Sequence, residues 1–422
     1  GEFYYQAFGV EKNEKEARRW YEAAATQGNA TAQYMTGRLY AELSYNVAAV
    51  KWYTKAAEQN CPEAQCELGK CYETGDGVGK NEAKAVELYR KATEQGYAEA
   101  QYKMGECYYY GTGIACDEDE ATKWYRKAAE QGFAQAQRTL GDCYYNGDGV
   151  EEDDKEAANW YQKAAEQGDA EAQYMLGECY YYGRGIDENE AEAVKWYQKA
   201  AEQGDAEAQY SLGNCYCYGI GVEKDFTKTV EWCQKAAEQG NAKAQRDLAC
   251  YYMYGKGVEK NVQKAVDLYR KAAEQGDAEA QYDLGRCYDY GEGVEKNSAK
   301  AVEWYRKSAG NGNTSAQFML GVCYEYGQSV TLSKAIAAEW YRKAADQGYA
   351  TAQYRLGVFY ENGYGVTQNK EEAAKWYKKA ADQGDEDAKK ALDRMQSSGM
   401  GTAVAAGVAA AGVGILWKFL NS

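Results

Sequence analysis

Between residues 169 and 204 the apolar side chains fall three or four residues apart in two separate runs. Ala172, Leu176, Cys179 and Tyr180 make one stripe; Ala193, Trp196, Tyr197 and Ala200 make the other. Such spacing marks one face of an α-helix. The polar segment Gly183-Arg184-Gly185-Ile186-Asp187 separates the runs. The pattern predicts a first helix capped by Asp169 and running to about Tyr182, then a loop. A second helix follows from about Glu190 to Glu202 and stops at Gly204. Asp169 and Asn189 are side chains that accept hydrogen bonds from the free amides of a helix start, and glycine suits the left-handed residue after a helix end.

This unit is repeated along the chain. The glycine of Ala-Ala-Glu-Gln-Gly, or a near copy, returns at 96, 132, 168, 204, 240, 276, 312, 348 and 384, always 36 residues apart. Gly28 and Asn60 continue the series with one interval four residues short. Leu-Gly-x-Cys-Tyr, as at 176–180, keeps the same period. So does a Gly-x-Gly loop at Gly75, Gly111, Gly147, Gly183, Gly219, Gly255, Gly291 and Gly363, with Ser329 replacing the second glycine after Gly327. Position 189 and its equivalents are Asn81, Asp117, Asp153, Asn189, Asp225, Asn261, Asn297, Ser333 and Asn369, all N-capping residue types. Three motifs in phase predict an all-α solenoid of 36-residue helix-turn-helix repeats, in which stacking supplies the burial that one hairpin lacks. Gly177 falls inside the first helix, where glycine costs about 1 kcal/mol relative to alanine. Its return in nearly every repeat predicts close approach of the Trp196-Tyr197 pair.

Segments such as Gly-Asp-Ala-Glu-Ala-Gln-Tyr-Met-Leu-Gly-Glu-Cys-Tyr-Tyr-Tyr-Gly-Arg-Gly-Ile (168–186) and Ala-Val-Lys-Trp-Tyr-Gln-Lys-Ala-Ala-Glu-Gln-Gly (193–204) closely resemble the Sel-1-like repeat (SLR) family, a relative of the tetratricopeptide repeats. The resemblance covers residues 1 to about 395. It implies a right-handed α/α superhelical solenoid over 1–396, about eleven repeats with the first incomplete and 386–396 a capping helix. It also implies a non-enzymatic adaptor or scaffold whose first helices line a concave groove for a protein or peptide partner. Departures are local: Leu88 and Leu268 stand for tryptophan, Cys233 for tyrosine and Ala249 for the helix glycine.

Composition narrows the chemistry. The chain has 422 residues, no histidine and one proline, with 49 basic and 65 acidic residues giving −16. Without histidine there is no Ser-His-Asp triad, Cys-His dyad or His-ligated zinc. The acidic balance argues against nucleic acid, which requires cations for its phosphates. The Gly-x-Gly loops lack the third glycine and preceding strand of a dinucleotide site and the Gly-Lys-Ser/Thr ending of a phosphate loop. The acidic segment 148–154 lacks the ligand order of an EF-hand, and Cys61, Cys66 and Cys71 scatter around a helix, so no metal site and no cofactor is expected. Seven of the 13 cysteines (Cys71, Cys107, Cys143, Cys179, Cys215, Cys287, Cys323) hold one register position. Repeats stack roughly 9–10 Å apart, beyond disulfide reach, so buried thiols in a reducing compartment are expected, with Cys61, Cys116 and Cys217 the more reactive. The paired cysteines that the resemblance associates with a disulfide-bonded branch are absent.

The polar side of the first helix supplies the candidate site. Around the reference repeat it holds Glu171, Met175, Glu178 and Tyr182. Position 175 varies freely, while position 182 is tyrosine at Tyr110, Tyr182, Tyr218, Tyr254, Tyr290 and Tyr326 and asparagine at Asn146 and Asn362. A row of tyrosines among variable polar groups is suited to gripping an extended peptide or a basic helix; packing between repeats is the competing role. Gly1 is in register with Gly37, so the sequence starts inside a repeat, read either as a processed chain or as an open end that receives a neighbour. The 397–422 segment changes character: Met395 to Trp417 is 23 uncharged residues, about 34 Å as a helix and enough for a bilayer core. Gly407, Ala411, Gly414 and Trp417 are its candidate packing residues. Lys389, Lys390 and Arg394 before it fit a cytoplasmic repeat domain with a C-terminal membrane anchor. Docking on protein, or self-assembly of copies into a filament or oligomer, stays open beside that.

Overall fold

A computed structural model describes residues 14–397. Among them are 22 α-helices and no strand, and successive helices pack pairwise. The chain divides into two compact units. The first runs through Cys215 and includes Gly219–Glu223; the second begins at Lys224 and includes Tyr216–Tyr218. The reference hairpin is as expected, with helices Ala170–Tyr182 and Glu190–Glu202. Asp169 accepts from the Ala172 amide and Asn189 from the Glu192 amide. All nine residues of the position-189 series cap their helices in this way. The short repeat lost its four residues from the loop: helices Ala30–Glu42 and Asn46–Glu58 are joined by Leu43-Ser44-Tyr45 alone, with Ser44 at φ 62°.

The helix glycine makes room for one ring. A Cβ on Gly177 would fall 2.6 Å from the Tyr197 ring, and the same clash arises at Gly37, Gly69, Gly105, Gly141, Gly285, Gly321 and Gly357 against the equivalent tyrosines. Tyr197 is buried with Ala193 and Ala200, as expected. Its neighbour Trp196 is not part of this interlock. It is half-buried, with the Lys199 ammonium 3.6 Å from its ring centre, and the pairing recurs at eight tryptophans. Tyr180 is likewise only half-buried, unlike Ala172, Leu176 and Cys179. The second loop glycine has a different task. A Cβ on Gly185 would strike the Asp154 carbonyl at the start of the preceding hairpin's second helix, so glycine lets consecutive hairpins close tightly there. At Ser329 the chain keeps the left-handed turn, φ 53°, without glycine.

A buried amide joins one hairpin to the next. Gln173 donates from Nε2 to the Ala165 carbonyl, 3.1 Å away in the preceding hairpin. Its Oε1 accepts from Gln203 Nε2 at 2.8 Å, at the end of its own second helix. The side-chain pair repeats as Gln59–Gln33, Gln95–Gln65, Gln131–Gln101 and Gln167–Gln137 in the first unit. In the second unit it repeats as Gln275–Gln245, Gln347–Gln317 and Gln383–Gln353, with Asn311 substituting opposite Gln281. Sequence reading missed this ladder, although both glutamines keep the 36-residue period.

Gln173→Ala is expected to lower the unfolding free energy by about 1 kcal/mol, because it removes one hydrogen bond from the Ala165 carbonyl, which keeps the Gly168 amide, and leaves the exposed Gln203 amide to water. Adding Gln203→Ala should cost clearly less than the sum of the single changes. Denaturant unfolding of the three variants measures this, and full additivity would show that the two amides do not act as a pair.

Candidate functional site

The first helices carry the variable polar face, and its inner edge is already committed to the core. Tyr161 donates to Asp142 at 2.8 Å and Tyr197 to Glu178. Where the residue equivalent to Glu178 is Lys70, Val322 or Val358, the acid moves one turn along the helix. Tyr89, Tyr341 and Tyr377 then donate to Glu73, Glu325 and Glu361. Burial and the adjacent carboxylate push these phenols far up, so each remains a donor. Glu178, expected on the exposed face, therefore anchors the core tyrosine.

Cations on this face link one repeat to the acids of the next. Arg138 meets Asp142 at 3.5 Å and, in the following repeat, Asp169 at 3.5 Å and Glu171 at 2.7 Å. Arg246 does the same with Asp247, Asp277 and Glu279 at 3.0, 3.5 and 2.8 Å. Lys70 joins Glu67 at 2.8 Å to Glu99. Asp283 sits in the same neighbourhood. Burial, reinforced by Glu279 and Asp277 against the pull of Arg286 and Arg246, holds its carboxyl up at about 6. Met175 is half-buried beside these groups.

The six tyrosines do not pack away between repeats. Tyr110, Tyr182, Tyr218, Tyr254, Tyr290 and Tyr326 are each 55–72% exposed. Each closes its first helix immediately before a left-handed glycine. In the second unit Tyr218, Tyr254, Tyr290 and Tyr326 occupy four successive repeats. Tyr254 adjoins Arg286 and Tyr326 adjoins Arg355, both on the first helix of the next repeat, so the row borders the variable polar face. In the first unit Tyr182 stacks edge-on with Tyr181 and lies under Arg184, while Asn146 interrupts the series. Gly407, Ala411, Gly414 and Trp417 lie outside the described residues, as do the membrane-anchor segment and the first-repeat residues 1–13. Among the described residues no helix is long and apolar enough to cross a membrane.

All 13 cysteines are free thiols. Burial raises the Cys179 thiol to about 12 and the Cys143 thiol to about 11, which removes thiolate chemistry at neutral pH. Of the three set apart by sequence, Cys217 is buried and accepts from the Tyr251 hydroxyl at 3.2 Å. Cys61 is half-buried with its thiol raised to about 11 by burial. Cys116 is exposed. Among the described residues no cluster of three or more Cys, Asp or Glu is placed to hold a metal ion.

The Sel1 repeat family model matches residues 1–29, 30–61 and 62–97, then eight successive 36-residue segments from 98–133 to 350–385. A protective antigen of uropathogenic Escherichia coli strains displaying an SLR fold is 40% identical, matched over 90% of this chain and 82% of that one with a TM-score of 0.78. A Sel1 repeat protein from Oxalobacter formigenes is 35% identical over 74% of this chain and 90% of that one, with a TM-score of 0.58. No curated protein matches the chain. Sel1 repeats are in general non-enzymatic protein-interaction scaffolds.

Because Asp283 has a folded value above the ordinary carboxylate value, the folded chain holds that proton more tightly than the unfolded one. Its contribution is therefore most favourable below about pH 4 and is lost as the pH rises through about 6. Asp283→Asn should raise stability at neutral pH by about 1 kcal/mol and flatten the profile across that window. Urea unfolding at several pH values tests this; an unchanged slope would remove the assignment.

Proposed function

The chain belongs to the Sel1 repeat family, and from that premise we propose that it is a non-enzymatic adaptor whose tyrosine row and acidic first-helix face capture a protein or peptide partner. The carrying observation is the exposure of Tyr218, Tyr254, Tyr290 and Tyr326 at one register position, while the tyrosines at 197-type positions are buried. An exposed phenol in line with others offers apolar area and a hydroxyl donor at each step, and aromatic residues of this kind dominate binding energy at interfaces. Around the row the acids outnumber the cations that pair with them, which favours a partner segment carrying Lys or Arg. The apolar 401–417 segment supports a tether that holds this scaffold at a membrane, on its cytoplasmic side. The alternative use of the same segment, with the chain's first repeat, is assembly of copies.

Replacing Tyr218, Tyr254, Tyr290 and Tyr326 together by alanine should weaken capture of the partner at least about 100-fold while leaving the circular dichroism spectrum unchanged. The partner is first identified by cross-linking to the intact chain, and affinity is then measured by titration. Equal affinity of the folded variant would overturn the groove reading. Removal of residues 397–422 should abolish membrane co-sedimentation; a shift from polymer to monomer instead would favour assembly, and no change in either would remove both roles for the tail.

A further inference from the structure

One edge of the hairpins, formed by the inter-helix loop and the start of the second helix, changes sign along the chain. In the first unit, residues two apart on this edge read Glu152, Asp154, Glu156 and, one repeat on, Glu188, Glu190, Glu192. The repeat before ends the same edge with Glu118 and Glu120, and the one before that reads Lys80, Glu82, Lys84, so the acidic stretch spans 118–192. In the second unit the corresponding positions read Lys224, Phe226, Lys228, then Lys260, Val262, Lys264, then Lys296, Ser298, Lys300. The acid just before them (Glu151, Asp187, Glu223, Glu259, Glu295) is the same in five consecutive repeats, so it does not alter the contrast. The whole chain follows this division. Residues 1–223 hold 22 Lys/Arg and 40 Asp/Glu, a formal −18; residues 224–422 hold 27 and 25, a formal +2.

The lysine edge is ordered before any partner arrives. All six lysines are exposed at the residue level. Lys264 nevertheless donates to the Tyr252 hydroxyl at 2.5 Å, and its ammonium lies 4.2 Å from that ring centre. Lys228 and Lys300 lie over Tyr216 and Tyr288 at 4.8 and 5.3 Å. These tyrosines belong to the Leu-Gly-x-Cys-Tyr motif and so recur in every step. A long side chain already seated on an aromatic face loses less entropy when it pairs with an acid.

We infer that the lysine edge of the second unit docks on the carboxylate edge of the first unit of another copy of this chain. The occupant is selected by pitch as well as sign. Both rows are built on one 36-residue repeat, so when the first lysine pair meets the first acid pair the later pairs meet without distortion. One exposed ion pair contributes little, but several engaged together act as a multivalent contact. The chain's overall negative charge does not forbid this, since charges more than about 10 Å apart are largely screened at ordinary ionic strength and the facing edges decide the encounter. The contact is heterologous, because each copy offers one edge of each sign.

The test uses the full-length chain in sedimentation velocity over a concentration series, at about 50 mM and about 0.5 M salt. Concentration-dependent association is expected at low salt, weakened at least about tenfold at high salt. One variant carries Lys224→Glu, Lys228→Glu, Lys260→Glu and Lys264→Glu. A second carries Glu152→Lys, Glu156→Lys, Glu188→Lys and Glu192→Lys. Each alone should sediment as a monomer with unchanged circular dichroism, and mixing the two should restore association because each supplies the edge the other has lost. A wild-type chain that stays monomeric at low salt overturns the proposal. So does association that survives in both variants and in high salt, which would point to the apolar 401–417 segment, and so does failure of the two folded variants to rescue each other.

Discussion

The repeat depends on a glutamine that has no business in a hydrophobic stripe unless both ends of its amide are satisfied. A helix end leaves carbonyls without intrahelical partners, and in a stack of short hairpins those ends are covered by the next unit rather than by water. Gln173 enters the core, adds a hydrogen bond to the Ala165 carbonyl beside that from the Gly168 amide, and accepts the terminal amide of Gln203. A buried polar group satisfied at both ends costs little, whereas either half left alone costs about 1–3 kcal/mol. Because the chain of contacts runs through two consecutive hairpins, it fixes their register in a way that apolar contact cannot. Asn311 shows the tolerance: one methylene shorter, it still reaches Gln281 at 3.1 Å.

The Gly177–Tyr197 interlock fixes the approach inside each hairpin, and the two devices together explain what could be read in the sequence. Helix ends, caps and the helix glycine were legible because each depends on residue type at a position counted along one chain. Gly177 and Asn189 needed no partner to be recognised. The tyrosine–carboxylate contact was not legible from a single repeat, since the acid appears at either of two positions: Glu178 in one hairpin, Glu361 in another. A reading that compared the two positions jointly, noting that Lys70, Val322 and Val358 are each followed three residues later by glutamate, would have found it. Cys217 was misjudged for a related reason. Being out of register marked it as one of the more reactive thiols, but its position in the last turn of Ala206–Tyr218 buries it, where its sulfur accepts from the Tyr251 hydroxyl. The tyrosine row was named from periodicity alone, and its exposure was the part that periodicity could not supply.

With glycine, tyrosine and glutamine holding the repeat, the remaining positions are free of the fold. The loop edge and the outer part of the first-helix face can vary in charge with little effect on the core, and the chain uses that freedom unevenly. Position 175 ranges from Lys103 to Asp283, and the loop edge runs from glutamate to lysine. Such variation has no stabilising role of its own: exposed ion pairs contribute little, and like charges at neighbouring positions are mildly unfavourable. Glu188 and Glu190 are exposed; Glu192 pairs with Lys195 at 2.5 Å, and Glu190 and Glu192 sit in a first helical turn, where acids are favoured. On the first-helix face the exposed phenols supply apolar area that a partner can bury. On the loop edge the lysine and glutamate rows offer charge instead, and an array of opposite charge at the same pitch is the surface that complements them. Similarity of fold to other Sel1 repeat proteins describes the frame shared by all of them. The sign of the charge on each edge is a property of this chain.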